Sequence, residues 1–290
     1  MANLKTIYEP TGERVEPDVW GSGGFSSGIG FDKDKGRGIQ KPGRFFSQKD
    51  CEGIEYAKEH GYEAKVIKPI GYNLKNPKER EAYFDVVFDW ALQEPPKVIA
   101  LSGFNLIIPP TVFDRLDKEN ILMLNVHPGN LALQRLKNGS ILNAGNEDTA
   151  KIHYMTEAGE AWRAYVGNDA VYDAMVGGET ELMATIHKVT PGTDAGPIFT
   201  RKPRARKVDA PFVKRCINYG DFEALEQYKD TFQGHMKTEC DVPAYLNTFN
   251  ILYHNKIEID PATETLFFNG KKQPYGGILM DAELKKIGGI

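Results

Sequence analysis

The chain has 290 residues, of which 41% are hydrophobic, and it carries a formal net charge of −4 at pH 7. Its mean hydropathy of −0.44 is typical of a globular protein, and no apolar span reaches the ~20 residues of a membrane helix, which excludes a membrane partner. Basic residues are interleaved with acidic ones, which argues against nucleic acid as a partner, and the N-terminus lacks an apolar signal core, which predicts a cytoplasmic protein.

The cysteines and histidines do not suggest a disulfide framework or a metal centre. The cysteines are odd in number and far apart: Cys51, Cys216 and Cys240. His153 and His187 do not lie at metal-ligand spacing from His127 or from a cysteine. We therefore expect no bound metal.

Apolar runs bounded by turn residues alternate with segments of helical periodicity, as in a parallel sheet with crossover helices. The segment before residue 21 is a poor buried strand because it contains Pro17 and three acids. The first clear unit is a strand at Phe45-Phe46, a helix from Asp50 to His60 and a strand from Ala64 to Ile67.

A second unit of the same kind follows. Helical periodicity over residues 79–93 stops at Pro95-Pro96, and residues 97–104 form a nearly continuous apolar strand. Residues 109–116 predict a short helix with proline in its first turn, and a buried strand starts at Ile121.

The alternation stops beyond Gln134, which predicts an insertion over residues 134–164 with a hairpin or short helix. A helix follows, with Asn168 as its N-cap and Gly177-Gly178 as its end, and then a strand over residues 182–189.

The last part of the chain predicts a helix from Phe222 to Thr238 and a hairpin whose turn is Asn269-Gly270. The predicted fold class is α/β, an open and mostly parallel sheet with flanking helices. We expect a catalytic domain over residues 1–205 and a C-terminal extension over residues 206–290 that carries the helix and the β-hairpin.

Two polar residues stand where the strand from Ile121 ends. Asn125 and His127 are two residues apart and therefore share a face, and Pro128-Gly129 follows them. Ligands bind at the carboxyl ends of strands in open parallel sheets. The alternative is a histidine at the edge of the core that is bonded to a backbone group.

A carboxylate follows the strand over residues 182–189. Asp194 lies in a loop between Gly192 and Gly196, which permit tight turns and close approach of a ligand. The alternative is a turn aspartate that bonds its own backbone. Together, the Asn-x-His-Pro strand end and the Asp-x-Gly-x-Ile loop resemble the folate-dependent formyltransferase family. Apart from the insertion, the resemblance extends from Phe45 to Ile198.

The resemblance implies a Rossmann-like fold and an enzyme that transfers a formyl group from 10-formyltetrahydrofolate to a primary amine. Such a transfer passes through a tetrahedral oxyanion. Asn125 and His127 would donate to that oxygen, and Asp194 would orient the imidazole and relay a proton. Neither a metal nor a covalent nucleophile is implied.

The resemblance also implies the sites of both ligands. Residues expected at the pterin of the donor are Phe104, Asn105, Leu106, Ile107, Ile108, Thr193, Ala195 and Gly196. Many glycinamide ribonucleotide formyltransferases have arginine where this chain has Leu106, and core packing is the alternative for the apolar members. Residues expected at the acceptor are Gly21, Ser22, Gly23, Gly24, Pro128, Gly129 and Glu239. The alternatives are a flexible Gly/Ser loop and, for Glu239, a solvated helix acid.

Three functions stay open. The first is formyl transfer to a phosphorylated amine such as glycinamide ribonucleotide, in purine biosynthesis. The second is transfer to another amine, such as an amino sugar nucleotide, or hydrolysis of formyltetrahydrofolate, which the insertion and an altered motif after Gly129 favour. The third is a noncatalytic folate- or nucleotide-binding module, against which the three intact catalytic candidates argue. We expect a monomer or a homodimer.

Overall fold

The computed structural model describes residues 3–34, 40–147 and 161–281. His153 and the middle of the predicted insertion lie outside these ranges. The strands are β1 (Lys5–Tyr8), β2 (Asp18–Gly21), β3 (Phe45–Ser47), β4 (Ala64–Val66), β5 (Val98–Ser102), β6 (Leu122–His127), β7 (Leu133–Leu136), β8 (Ile141–Asn143), β9 (Ala161–Arg163), β10 (Met183–Lys188), β11 (Ile198–Pro203), β12 (Ile257–Asp260), β13 (Thr265–Phe268), β14 (Lys271–Lys272) and β15 (Ile278–Leu279). The helices are α1 (Ser26–Asp34), α2 (Glu52–Glu59), α3 (Pro77–Ala91), α4 (Pro110–Lys118), α5 (Ala170–Val176), α6 (Ala210–Tyr219), α7 (Phe222–Met236), a π-helix (Lys237–Asp241) and α8 (Val242–His254).

The central sheet has the strand order β15-β11-β10-β6-β5-β2-β3-β4 within the described residues. The pairs from β4 to β6 are all parallel, whereas β10 runs antiparallel to both β6 and β11. Apolar clusters cover both faces, one with α1 and α8 and the other with α3 and α4. The predicted α/β class, with a mostly parallel sheet and flanking helices, is confirmed. None of the described helices has both the length and the apolar character needed to cross a membrane.

Strand β2 contradicts the prediction that the segment before residue 21 is a poor buried strand. It begins immediately after Pro17, so the proline removes no ladder hydrogen bond, and all four of its residues are buried. Its acid, Asp18, is paired with Arg44, whose Nη2 lies 2.6 Å from Oδ2. Arg44 also donates to the carbonyl of Ala91 at 2.9 Å and lies over the ring of Trp90. The buried carboxylate of Asp18 is tolerated in the centre of the sheet because the guanidinium of Arg44, the residue before β3, pairs with it.

The insertion contains the predicted hairpin. Strands β7 and β8 pair antiparallel, and β9 pairs with the other edge of β7. The helix that follows differs from prediction, because its N-cap is Asp169 rather than Asn168 and the cap makes no side-chain hydrogen bond. Gly167, at φ +79°, turns the chain just before this point, and the helix begins after the turn.

The C-terminal hairpin is confirmed. Asn269 and Gly270 both have positive φ, +48° and +75°, as a type I′ turn requires. The predicted helix from Phe222 is also present, but the chain then continues through the π-helix and α8 to His254. Pro243 lies in the first turn of α8, directly after the π-helix. The proposed division at residue 205 stays a prediction, and across it α8 packs on β10 and β11 while β15 pairs with β11.

Candidate active site

Strand β6 places Asn125 and His127 on one face at its carboxyl end. The imidazole of His127 is 3% exposed, and its Nδ1 lies 3.2 Å from Oδ2 of Asp194. Its other nitrogen, Nε2, donates to the backbone carbonyl of Tyr165 at 2.9 Å. Gly129 permits this arrangement, because a Cβ there would lie 2.8 Å from Nε2 of His127. The ring is therefore fixed between a carboxylate and a carbonyl.

The loop between β10 and β11 turns Asp194 back over the sheet. Asp194 has φ +51°, an uncommon conformation for a residue other than glycine. Its Oδ2 also accepts the backbone N–H of Gly167 at 2.8 Å. Burial raises the pKa of Asp194, but hydrogen bonds from His127 and His187 outweigh it and hold the pKa well below its usual range. The carboxylate is therefore ionised throughout the neutral pH range.

His187 is a site residue that the sequence analysis considered only as a metal ligand. It lies directly opposite Asn125 in the pairing of β10 with β6. Its Nε2 lies 3.3 Å from Nδ2 of Asn125 and 3.5 Å from Oδ1 of Asp194, and its Nδ1 faces the carbonyl of Lys188 at 3.0 Å. Burial lowers the pKa of His187, which favours the neutral ring. A histidine within an apolar strand just before the Asp194 loop was the available sequence signal.

The four side chains form a continuous polar array in the order Asn125, His187, Asp194 and His127. One carboxylate bridges two imidazoles, and an amide donor stands at the end of the array. Such an array can hold an imidazole in a fixed orientation, stabilise developing negative charge and move a proton over a short distance. Among the described residues, no group of three or more His, Cys, Asp or Glu side chains is arranged to hold a metal ion.

The donor candidates of the loop after β5 differ in exposure. Phe104, Leu106 and Ile108 pack against the apolar cluster formed with α3 and α4, whereas Ile107 is 70% exposed. The N–H of Asn105 donates to Oγ of Ser22 at 3.1 Å. This loop is therefore tied to the Gly/Ser loop after β2.

The donor candidates around Asp194 border a cavity of about 250 Å³. Thr193 and Ala195 line it, together with Trp162 of β9 and Tyr275 near the C-terminus. Gly196 instead makes the tight turn of the loop, since a Cβ there would lie 1.9 Å from the carbonyl oxygen of Lys188.

The acceptor candidates at the Gly/Ser loop are only partly accessible. Gly21 and Ser22 are buried, Gly23 is half-buried and Gly24 is exposed. The N–H of Ser22 donates to the carbonyl of Gly103 at 3.2 Å, and a Cβ on Gly21 would lie 2.6 Å from the carbonyl oxygen of Ser102.

The remaining acceptor candidates lie in two places. Pro128 is half-buried and Gly129 buried at the end of β6. Glu239 lies on the π-helix, with its side chain 45% exposed and bonded through Oε2 to Nε of Arg204 at 2.7 Å. Two residues on, Asp241 is buried, and its Oδ1 has no hydrogen-bond partner among the described residues. Burial raises the pKa of Asp241 to about 7. Asp241 was not among the site residues predicted from the sequence.

No protein-family model and no curated protein matches the sequence. Solved structures match the fold. The phosphoribosylglycinamide formyltransferase of Coxiella burnetii is 16% identical at a TM-score of 0.63, covering 93% of this chain and 100% of that one. The phosphoribosylglycinamide formyltransferase of Anaplasma phagocytophilum is 14% identical at 0.58, with 93% and 100% covered. A formyltetrahydrofolate deformylase of Pseudomonas syringae pv. tomato is 13% identical at 0.54, with 91% and 67% covered. The predicted Rossmann-like fold of these formyltransferases is confirmed.

Proposed function

We propose that this chain is a folate-dependent formyltransferase that moves the formyl group of 10-formyltetrahydrofolate to a primary amine. The observation that carries the proposal is the array of Asn125, His187, Asp194 and His127 at the end of β6. The fold shared with formyltransferases and a deformylase supports the same class of chemistry. We place the enzyme in the cytoplasm as a monomer or homodimer that needs no metal.

The reaction joins the amine nitrogen to the formyl carbon and breaks the bond from that carbon to N10 of the folate. In the tetrahedral intermediate, the formyl oxygen carries negative charge, which the amide of Asn125 and the imidazole of His127 stabilise as donors. The proton lost by the amine is transferred to N10. Asp194 holds the imidazole of His127 in the orientation that donates to the formyl oxygen, and it relays the transferred proton. Because Nε2 of His127 donates to Tyr165 in this structure, the formyl oxygen must replace that carbonyl as its partner.

For the donor, we propose contacts with residues 104–108 on one side and with Thr193, Ala195 and Gly196 on the other. The exposed members of this set are Asn105, Ile107, Thr193 and Ala195. Leu106 stands where many relatives have arginine, so this contact would be apolar rather than ionic.

For the acceptor, we propose a phosphorylated amine such as glycinamide ribonucleotide, used in purine biosynthesis. Residues 21–24 would receive the phosphate, with Gly23 and Gly24 nearest the surface. Pro128 and Gly129 would border the amine, and Glu239 would contact it once released from Arg204.

Hydrolysis of 10-formyltetrahydrofolate is the second candidate. His127 is 3% exposed beneath the carbonyl of Tyr165, and such an enclosed site admits water more readily than a large amine. The fold likeness to a formyltetrahydrofolate deformylase agrees with this alternative. Transfer to another amine, such as an amino sugar nucleotide, is the third, since the insertion alters the surroundings of the site.

Purified protein incubated with 10-formyltetrahydrofolate and a panel of amines distinguishes these functions. Release of tetrahydrofolate and the mass of each amine are followed together. A formyl mass gain on glycinamide ribonucleotide supports that acceptor, and a gain on another amine supports a formyltransferase with a different acceptor. Tetrahydrofolate with free formate and no modified amine identifies a hydrolase. Absence of turnover and of folate binding would contradict the proposal.

A further inference from the structure

Arg163 links the insertion to the loop that carries Asp194. It is the last residue of β9, and its guanidinium donates through Nη1 to the carbonyl of Asp194 and through Nη2 to the carbonyl of Gly196 at 2.8 Å. Its Nε donates to the hydroxyl of Tyr275 at 3.1 Å, and the guanidinium lies 5.6 Å from the centre of the Tyr275 ring. The planar fork of arginine can bind several acceptors in one fixed geometry, which lysine cannot do.

Both bonded carbonyls belong to the turn that brings the carboxylate into the site. Asp194 adopts φ +51°, a strained conformation for a residue other than glycine that persists only where the surroundings enforce it. Arg163 binds the backbone on either side of Ala195, while the N–H of Gly167 binds the side chain of Asp194. The backbone of this residue is therefore held from the insertion, and its carboxylate is held from the residues that directly follow the insertion.

A covering segment, residues 163–167, supplies every one of these contacts. Besides Arg163 and Gly167, it contributes the Tyr165 carbonyl that accepts from Nε2 of His127. The two members of the His127–Asp194 pair are thus held by neighbouring residues of one short stretch. The charge of Arg163 also acts on His187, where it lowers the pKa in the same direction as burial.

We propose that Arg163 is a positioning residue for the reaction, and that it holds the Asp194 loop in the conformation that presents the carboxylate to His127. This proposal rests on the proposed function. Arg163 acts through the two loop carbonyls, and the structure gives it no bond to the carboxylate itself among the described contacts. If so, the insertion helps to position the residues of the active site and does more than alter its border.

The first test needs no activity. The amide of Gly167 donates to Asp194, so its hydrogen exchange reports whether the loop stays in place, and the amide of Val189, which donates to Met123 at 2.9 Å, is the internal reference. In Arg163→Gln, we expect exchange at Gly167 to rise about tenfold or more while exchange at Val189 is unchanged. Unchanged exchange at Gly167 would overturn the proposal, whatever reaction the protein catalyses.

The second test uses turnover. Arg163→Gln is expected to lower kcat about tenfold to 100-fold because the carboxylate is misplaced, and to raise KM for the donor by a smaller factor, because residues 104–108 of the donor site are kept. Arg163→Lys should recover part of kcat, since an ammonium reaches one carbonyl only. Arg115→Gln is the matched control, because it removes a guanidinium paired with Asp85 and Asp89 on the surface.

The outcomes separate the two proposals. If wild-type protein shows no formyl transfer or hydrolysis, the proposed function fails, but the exchange measurement on Gly167 still stands. If wild-type protein is active and Arg163→Gln loses only thermal stability, with kcat and exchange at Gly167 unchanged, then Arg163 is merely structural and the positioning role is wrong.

Discussion

The imidazole of His127 donates through Nε2 to the backbone carbonyl of Tyr165 at 2.9 Å. This nitrogen is the one that faces away from Asp194, and it is the donor that a formyl oxygen would need. The formyl oxygen of the substrate and the carbonyl of Tyr165 therefore compete for the same N–H group of His127. The covering segment has to yield slightly for the reaction, while the pair of His127 and Asp194 can stay in place.

Replacement of His127 tests the proposed reaction directly. We expect His127→Ala to lower turnover about 100-fold or more, since it removes an oxyanion donor and the group that Asp194 orients. Single-turnover release of tetrahydrofolate measures the effect, and circular dichroism checks the fold. His60→Ala is the control, because His60 is an exposed ring stacked on Tyr56. Near-wild-type turnover of His127→Ala would refute the catalytic assignment.

Asp194→Asn should change stability as well as turnover. The folded-state pKa of Asp194 is held below its unfolded value, so this carboxylate stabilises the fold above the unfolded pKa and the gain is lost as pH falls. Urea unfolding at pH 7 and below pH 4 measures the difference. Wild-type protein should lose more stability on acidification than the variant does. Equal losses in both proteins would show that the ionised carboxylate does not stabilise the folded state.

For Asp241, we expect the stability of the folded state to change with pH in the opposite direction. Burial raises its pKa from 3.8 to about 7, so the folded state keeps a proton that the unfolded chain releases, and stability falls as pH rises from about 4 to about 7. The loss is at most on the order of 4 kcal/mol at about 1.4 kcal/mol per pKa unit. Asp241→Asn should remove this slope and be the more stable protein at pH 8. Asp117→Asn, at an exposed ion pair with Lys5, is the control. A slope that persists in Asp241→Asn would contradict the assignment.

Glu239→Gln tests the acceptor site. If the carboxylate binds the amine, its loss should raise KM for the acceptor about tenfold and leave KM for the donor unchanged, as expected for one charge-assisted hydrogen bond. Glu226→Gln removes an acid paired with Lys229 on α7 and provides the comparison. Unchanged KM with lowered thermal stability would instead mean that Glu239 serves only to pair with Arg204.

The sequence was sufficient to propose Asn125, His127 and Asp194 as candidates, because each lies near a Pro or Gly break after an apolar run and the two motifs together resemble the folate-dependent formyltransferase family. It was not sufficient for His187. That residue joins the site because β10 runs antiparallel to β6 and places it opposite Asn125. Which strands become neighbours, and whether they run parallel or antiparallel, is decided by packing across the whole sheet and not by one strand alone.

The contacts that the insertion makes could not be predicted from the sequence, for a related reason. Arg163 is 33 residues from Gly196 and 112 residues from Tyr275 along the chain, yet it bonds both. Helix α8 was not predicted, because the predicted helix ended at Thr238, whereas the chain continues through the π-helix into α8. The burial of Asp18 was not predicted because its partner, Arg44, lies in another part of the chain, directly before β3.

The hydroxyl of Tyr275 accepts from Arg163 and also from Nε2 of Gln134 at 2.5 Å, so a residue more than 100 positions further along the chain joins two strands of the insertion. During synthesis, the N-terminal parts of a chain emerge and begin to fold first. All four polar residues of the array leave the ribosome before this tyrosine does. A nascent chain halted short of residue 275 thus carries the complete set of reacting groups but lacks the hydroxyl that binds Arg163, and we expect it to acquire full activity only after residue 275 has been translated.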